Sequence, residues 1–339
     1  MKIKILCTLG PASLNEAVIT GLDQRNVDLF RINLSHTPPE AVIPTIELTR
    51  RYSKVPICLD TQGAQVRCGR MAEGVEVRSG DTVRLTAASV LGSADHFTLW
   101  PASVFDTLRP GATIGVDFDG AVLSVLDVEE GSARAVVVEG GKVRSNKAVI
   151  IDPAPALPPL TESDLAAIEA GLSVGVEQVA LSFASSAADV AMLRGLLPDG
   201  VTLISKIESR AGVRNRDDII DASDAVLIDR GDLSREVPVE YVPFYQKAIV
   251  RQANRWNRRV YVATNLLESM VTTRKPSIAE MNDIANTLLD GVHGLVLAAE
   301  TAIGVDPVGA VDMVLRAIRA FEATNVGVLL EEDRIRLAS

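Results

Sequence analysis

Short apolar, β-branched runs alternate with longer amphipathic segments along most of the chain, the rhythm of strand and helix. The first run, Ile3-Lys-Ile-Leu-Cys-Thr-Leu9, is closed by Gly10-Pro11. A helical stretch over about 14–26 leads to a strand at 27–35, and another over about 39–52 leads to a strand at 55–61. The texture then changes. From about 66 to 151, Val, Thr and Ala alternate with polar residues between frequent glycines, which predicts a small all-β domain without helices. The Pro-rich stretch 152–159 reads as its return linker.

Strand–helix alternation then resumes. Thr161-Glu-Ser-Asp164 is a capping pattern that opens a helix, followed by strands at 176–183, 201–208 and 224–229. Segment 214–222 reads as the end of a crossover helix between the last two. Helices over about 239–257 and 277–289 precede strands at 259–265 and 294–300, and a final helix spans about 307–323. These strands are apolar nearly throughout, as strands buried on both faces of a parallel sheet are. Eight β/α units predict an α/β fold, a closed (β/α)8 TIM barrel with the small all-β domain inserted after strand 3. An open doubly wound sheet is the rival, but no glycine fingerprint follows the first strand. The expected organisation is a barrel in two parts, 1–66 and 153–325, a β-barrel-like insert at 67–152, and a C-terminal tail at 326–339. The tail is amphipathic and reads as a dimer element or a last frayed helix.

Composition narrows the function. Apolar residues make up 47% of the 339, enough for a large core, while a formal charge of −10 argues against a nucleic-acid partner. No run approaches a membrane span, and the N-terminus turns polar too early for a signal peptide, so a cytoplasmic protein is expected. Cys7, Cys58 and Cys68 show no CxxC spacing, which argues against disulfides, and Cys7 and Cys58 sit in apolar runs as buried small hydrophobes.

Barrel chemistry gathers at the C-terminal strand ends. That rule selects Arg31, Asn33, Ser35, Asp60, Thr61, Ser182, Lys206, Glu208, Asp232, Thr264 and Glu300. Glu208 and Asp232 are acceptor-only groups from adjacent strands, suited to Mg2+ or Mn2+, with helix capping or arginine pairing as the structural alternative. Lys206 between them could steady developing negative charge, form a Schiff base, or simply pair with Glu208. Arg31 and Arg67 carry forked donors that suit phosphate. Asn33, Ser35, Asp60 and Thr61 offer oxygens for a monovalent cation or for a loop hydrogen-bond network. Backbone N–H groups at Gly231-Asp232 could receive a carboxylate or phosphate. His36 alone among the histidines stands at a strand end.

The ordered runs Cys7-Thr-Leu-Gly-Pro-Ala-Ser13, Arg31-Ile-Asn-Leu-Ser-His36, Leu59-Asp-Thr-Gln-Gly63, Ile204-Ser-Lys-Ile-Glu208, Arg230-Gly-Asp-Leu233, Ala263-Thr264 and Glu300-Thr-Ala302 resemble the pyruvate kinase family. The resemblance covers roughly 1–322 and implies a barrel domain with a mobile inserted domain. It implies that Glu208 and Asp232 hold the divalent cation, and that Lys206, with Arg31 and Thr264, does the catalytic work on the phosphoryl group. Arg31, Arg67 and His36 would contact the nucleotide. Thr264, the Gly231 and Asp232 backbone, and the flanking Asp229 and Arg230 would face the substrate, while Asn33, Ser35, Asp60 and Thr61 would bind K+.

Several positions depart from the family pattern. Gln62 replaces a lysine, Gln65 the glutamate that accompanies K+ dependence, and Asp229 a small residue before Arg-Gly-Asp. Asn265 replaces a glutamine, Ala298 the serine tied to enolate protonation, and Ser234-Arg235 a glycine region. The chain stops where the family's C-terminal domain would begin, so sugar-phosphate control and the usual tetramer contacts are not expected, though another homo-oligomer could form. The leading expectation is a metal-dependent phosphotransferase between an adenine nucleotide and a phosphoenolpyruvate- or pyruvate-like acid, with an altered substrate allowed. A metal-dependent aldolase or lyase acting on an oxo acid and a non-catalytic paralogue are the alternatives.

Overall fold

The computed structural model describes residues 2–63, 65–117, 120–155 and 157–324. The tail expected at 326–339 lies outside them. In chain order the strands are β1 (Lys4–Leu9), β2 (Leu29–Asn33), β3 (Ile57–Asp60), β4 (Val66–Cys68), β5 (Glu76–Val77), β6 (Thr82–Thr86), β7 (His96–Trp100), β8 (Thr113–Val116) and β9 (Ala121–Glu129). There follow β10 (Ser132–Glu139), β11 (Gly141–Lys142), β12 (Ala148–Asp152), β13 (Gln178–Leu181), β14 (Thr202–Ile207), β15 (Ala225–Asp229), β16 (Arg259–Ala263) and β17 (Gly294–Leu297). Two compact units divide the chain: 1–63 with 159–339, and 64–158.

In the larger unit, among the described residues, eight parallel strands close into a barrel in the order β1-β2-β3-β13-β14-β15-β16-β17. Their near-continuous apolar character has a direct cause. One face fills the barrel interior with Leu6, Leu29, Cys58, Ile204, Leu227, Tyr261 and Val296. The other packs Phe30, Leu59, Val179, Leu203 and Val260 against helix residues such as Ile46, Ile168, Leu193, Ile249 and Val314. Burying each such side chain contributes roughly 1.5–3 kcal/mol, which offsets the entropy of ordering the chain. No described helix is long and apolar enough to cross a membrane.

Local chemistry sets the helix ends. The helix Glu162–Ser173 opens with the reciprocal box between Thr161 and Asp164 that the sequence predicts. The expected helix over 14–26 is shorter, Glu16–Asp23. The Asn15 side chain caps it by accepting from the Val18 N–H, and Asn26 leaves the helix at φ 54°. The crossover ending at 222 is two helices, Arg210–Arg214 and Arg216–Ala222. They break at Asn215, whose side chain turns to donate to the Ser185 carbonyl.

The smaller unit closes seven strands into a second barrel, β10-β6-β7-β4-β12-β8-β9, antiparallel except for the β6–β7 pair. Its core is separate and includes Val83, Leu85, Phe97, Leu99, Ile114 and Leu123. One expectation is corrected here: a single helical turn, Val104–Thr107, interrupts the all-β texture, with Val104 and Phe105 buried. Cys7, Cys58 and Cys68 are free and buried.

Candidate active site at the strand ends of the barrel

Strands β14 and β15 run parallel with Ile207 level with Ile228, so the residues just beyond them emerge side by side. Lys206 is the last but one residue of β14 and Glu208 follows the strand directly; Asp229 ends β15, and Asp232 lies one turn into the helix Arg230–Glu236. Across the barrel, Asn33 and Asp60 are level at the ends of β2 and β3.

These residues form a buried charge cluster. Lys206 Nζ stands 3.0 Å from Glu208 Oε2, 3.5 Å from Asp60 Oδ1 and 3.7 Å from Asp229 Oδ2. It donates a hydrogen bond to Ser182 Oγ at 3.1 Å. Arg31 Nη1 lies 3.1 Å from Asp60 Oδ2, and its Nε donates to Thr8 Oγ1. None of these five charged side chains is more than 7% exposed. Two cations thus face three carboxylates, with Asp232 as a fourth, partly exposed acid that also pairs with Arg235. The imbalance is negative.

The titration directions agree with that imbalance. Burial pushes the Glu208 carboxyl up to about 8, with Lys206 opposing and Asp229, Asp232 and Asp60 adding to the rise. Burial disfavours charge on Lys206, but Asp60, Glu208 and Asp229 outweigh it and hold its pKa above the ordinary lysine value. Lys206 therefore stays an ammonium and is a poor Schiff-base nucleophile. Burial likewise opposes ionisation of Asp229, and Lys206, Arg31, the Thr264 hydroxyl and the Asp232 N–H overcome it, leaving that carboxyl below its usual range.

Glu208 is held from one side only. Its Oε1 accepts the Phe183 N–H at 2.8 Å, presented by a left-handed turn at Phe183, φ 52°. Its Oε2, fully buried, makes no hydrogen bond and meets only the Lys206 charge. A buried carboxylate oxygen without a donor is a position that a hard cation satisfies. One oxygen from each of Glu208, Asp229 and Asp232 lies within 4.8 Å of the others. The donor set expected for a divalent ion, Glu208 with Asp232, is therefore gathered in one place.

Thr264 follows β16 with φ 66°, and Asn265 follows it with φ 52°. A β-branched residue in the left-handed region costs about 1–3 kcal/mol and persists only where its surroundings hold it. Here Gly231 N–H donates to Thr264 Oγ1 at 2.7 Å, and Arg230 donates twice to the Thr264 carbonyl. The Thr264 hydroxyl stands 3.1 Å from Asp229 Oδ1. Arg230 also binds Asp283 and Gln246. Its donors are engaged within the fold, so it positions the Thr264 turn rather than reaching a substrate.

Of the four side chains considered for a monovalent cation, Asn33, Asp60 and Thr61 are engaged by their neighbours. Asn33 Oδ1 accepts from Ser35 N–H, Thr61 Oγ1 accepts from Ser182 N–H, and Asp60 faces Arg31 and Lys206. Ser35 and His36 are exposed in the loop after β2. Arg67 belongs to the smaller unit, where it donates to Gln65 Oε1 and the Asn146 carbonyl.

Some contributors carried little sequence signal. Thr8, which orients Arg31, is an ordinary strand residue in the primary sequence. Asp164 was legible as a cap, but it also accepts the N–H groups of Gln62 and Gly63 and so pins the exit of β3. Ser182 and Glu300 were marked as strand-end residues without a role. Ser182 links Lys206 to β3, and Glu300 receives the Leu267 and Ala298 N–H groups.

A profile described as "Pyruvate kinase, barrel domain" matches residues 1–311. The chain is 36% identical over 336 residues to a pyruvate kinase of Mycobacterium tuberculosis, covering 95% of this chain and 70% of that one. It is 34% identical over 343 residues to a pyruvate kinase of Geobacillus stearothermophilus, and spans 58% of that relative's length. A crystal structure of a pyruvate kinase from Cryptosporidium parvum superposes with a TM-score of 0.86 at 30% identity, covering 95% of this chain and 69% of that one.

Proposed function

The chain belongs to the pyruvate kinase family, and on that footing we propose that it is a divalent-metal-dependent phosphotransferase. It moves a phosphoryl group between an adenine nucleotide and a small acid of the phosphoenolpyruvate/pyruvate kind, or a substrate altered from it. The observation that carries this reading is the Lys206 ammonium, locked among buried carboxylates beside the donorless Glu208 Oε2.

Glu208 and Asp232 would hold Mg2+ or Mn2+, which when bound neutralises phosphoryl oxygens and polarises the oxygen that exchanges the group. The protein's own work is positioning and charge. Lys206 presents a fixed positive charge where negative charge develops, and a preorganised donor of this kind is worth roughly 3–4 kcal/mol of barrier. Its pKa is too high for it to act as a base at neutral pH. Arg31, braced by Asp60 and Thr8, keeps a second cation beside Lys206. The turn at Thr264, whose hydroxyl receives the Gly231 N–H, borders the acid substrate, while His36 serves the nucleotide. Asp60 is already matched by two protein cations, so a resident K+ is not required for its charge.

The test is nucleotide-dependent phosphoryl transfer followed by phosphorus NMR, with ADP or ATP against a panel of small enol phosphates and hydroxy acids. Turnover that needs Mg2+ or Mn2+ and falls about a hundredfold or more in Lys206→Ala is expected. Absence of transfer with every nucleotide–acid pair would overturn the proposal.

A further inference from the structure

We infer that Asp229 is a third carboxylate ligand of the divalent cation. The inference rests on reading Glu208 and Asp232 as the cation site, and it narrows the substrate.

Asp229 ends β15 and is 4% exposed. Its Oδ1 stands 3.1 Å from Thr264 Oγ1, whose one proton has a nearer acceptor in the Ala263 carbonyl at 2.6 Å. Thr264 is itself held by the Gly231 N–H and by Arg230, so the carboxylate sits against a fixed turn.

Lys206 is shared among three acids. Two carboxylates already stand nearer to it, at 3.0 and 3.5 Å, and Asp229 Oδ2 lies at 3.7 Å, beyond hydrogen-bond reach. An Asp229 oxygen instead shares the 4.8 Å cluster with oxygens of Glu208 and Asp232. Glu208, fully buried, keeps its Oε2 without a hydrogen bond and with only the Lys206 charge beside it. Three hard oxygen donors define a tighter cation site than two.

With three protein carboxylates around the cation, a further anionic ligand there meets like-charge repulsion. The substrate class that fits is one presenting a neutral oxygen there, a hydroxyl or carbonyl, to the cation.

Mn2+ titration of the full chain, followed by electron paramagnetic resonance, tests this. Wild type is compared with Asp229→Asn, which keeps the shape and can still meet Thr264, with Asp229→Ala, and with Glu208→Gln. Both Asp229 variants are expected to bind Mn2+ at least about tenfold more weakly, and Glu208→Gln about a hundredfold. If either Asp229 variant binds within about twofold of wild type while Glu208→Gln loses the ion, Asp229 is no ligand and only this inference falls. If wild type binds no Mn2+, or Glu208→Gln binds it as wild type does, the cation site itself is misplaced and both readings fall.

Discussion

Replacing Lys206 by methionine keeps most of the side-chain volume and removes one buried charge. Three carboxylates then face one another around an apolar tip, where Lys206 Nζ had stood 3.0, 3.5 and 3.7 Å from their oxygens. At an effective dielectric near 20, each contact is worth about 5 kcal/mol of gross attraction. Most of that is offset by the cost of burying the ammonium and by the readiness of Glu208 to take up a proton. Breaking one side of a buried ion pair has a net cost of about 3–5 kcal/mol. For a barrel of this size that lowers the melting temperature on the order of 10 °C. Calorimetry at neutral pH without divalent ions gives the measurement. A second scan with millimolar Mn2+ should return part of the loss, because a cation at Glu208 supplies charge where the lysine had been. Lys206→Met melting within about 2 °C of wild type would refute the claim that these carboxylates depend on it.

Thr264→Val is isosteric and leaves the left-handed backbone as it is, but it deprives the Gly231 N–H of its acceptor. Urea unfolding should show a loss of about 1–3 kcal/mol, and an unchanged midpoint would mean the hydroxyl holds nothing. His293 Nδ1 accepts the Val260 N–H, and burial, helped by Arg259, keeps its pKa below the ordinary value. The unfolded chain therefore takes its proton first as pH falls. The contribution of His293 is present above about pH 6.5 and is lost on acidification through the folded pKa. His293→Gln should flatten the fall in urea midpoint between neutral and mildly acidic pH, and a parallel fall in both proteins would remove His293 as its source.

The primary sequence was sufficient for the barrel because strands buried on both faces must be apolar throughout, and their spacing leaves room only for crossover helices. It was sufficient for the capping box at Thr161 and for placing Lys206, Glu208 and Asp232 at one edge, since strand ends fall where apolar runs stop. The break at Asn215 and the helical turn at Val104–Thr107 were not legible, because each depends on partners that a local period does not encode. The meaning of Asp229 was not legible either. Whether it repels a ligand, pairs with Lys206 or meets Thr264 depends on strand register and on backbone torsions at a residue 35 positions away. The same holds for Arg230, drawn to Asp283, and for Phe183, whose turned backbone delivers an N–H to Glu208. Periodicity follows from burial and can be read one residue at a time. The direction of a charged side chain at a strand end is decided by non-local neighbours, which exist only once the barrel has closed.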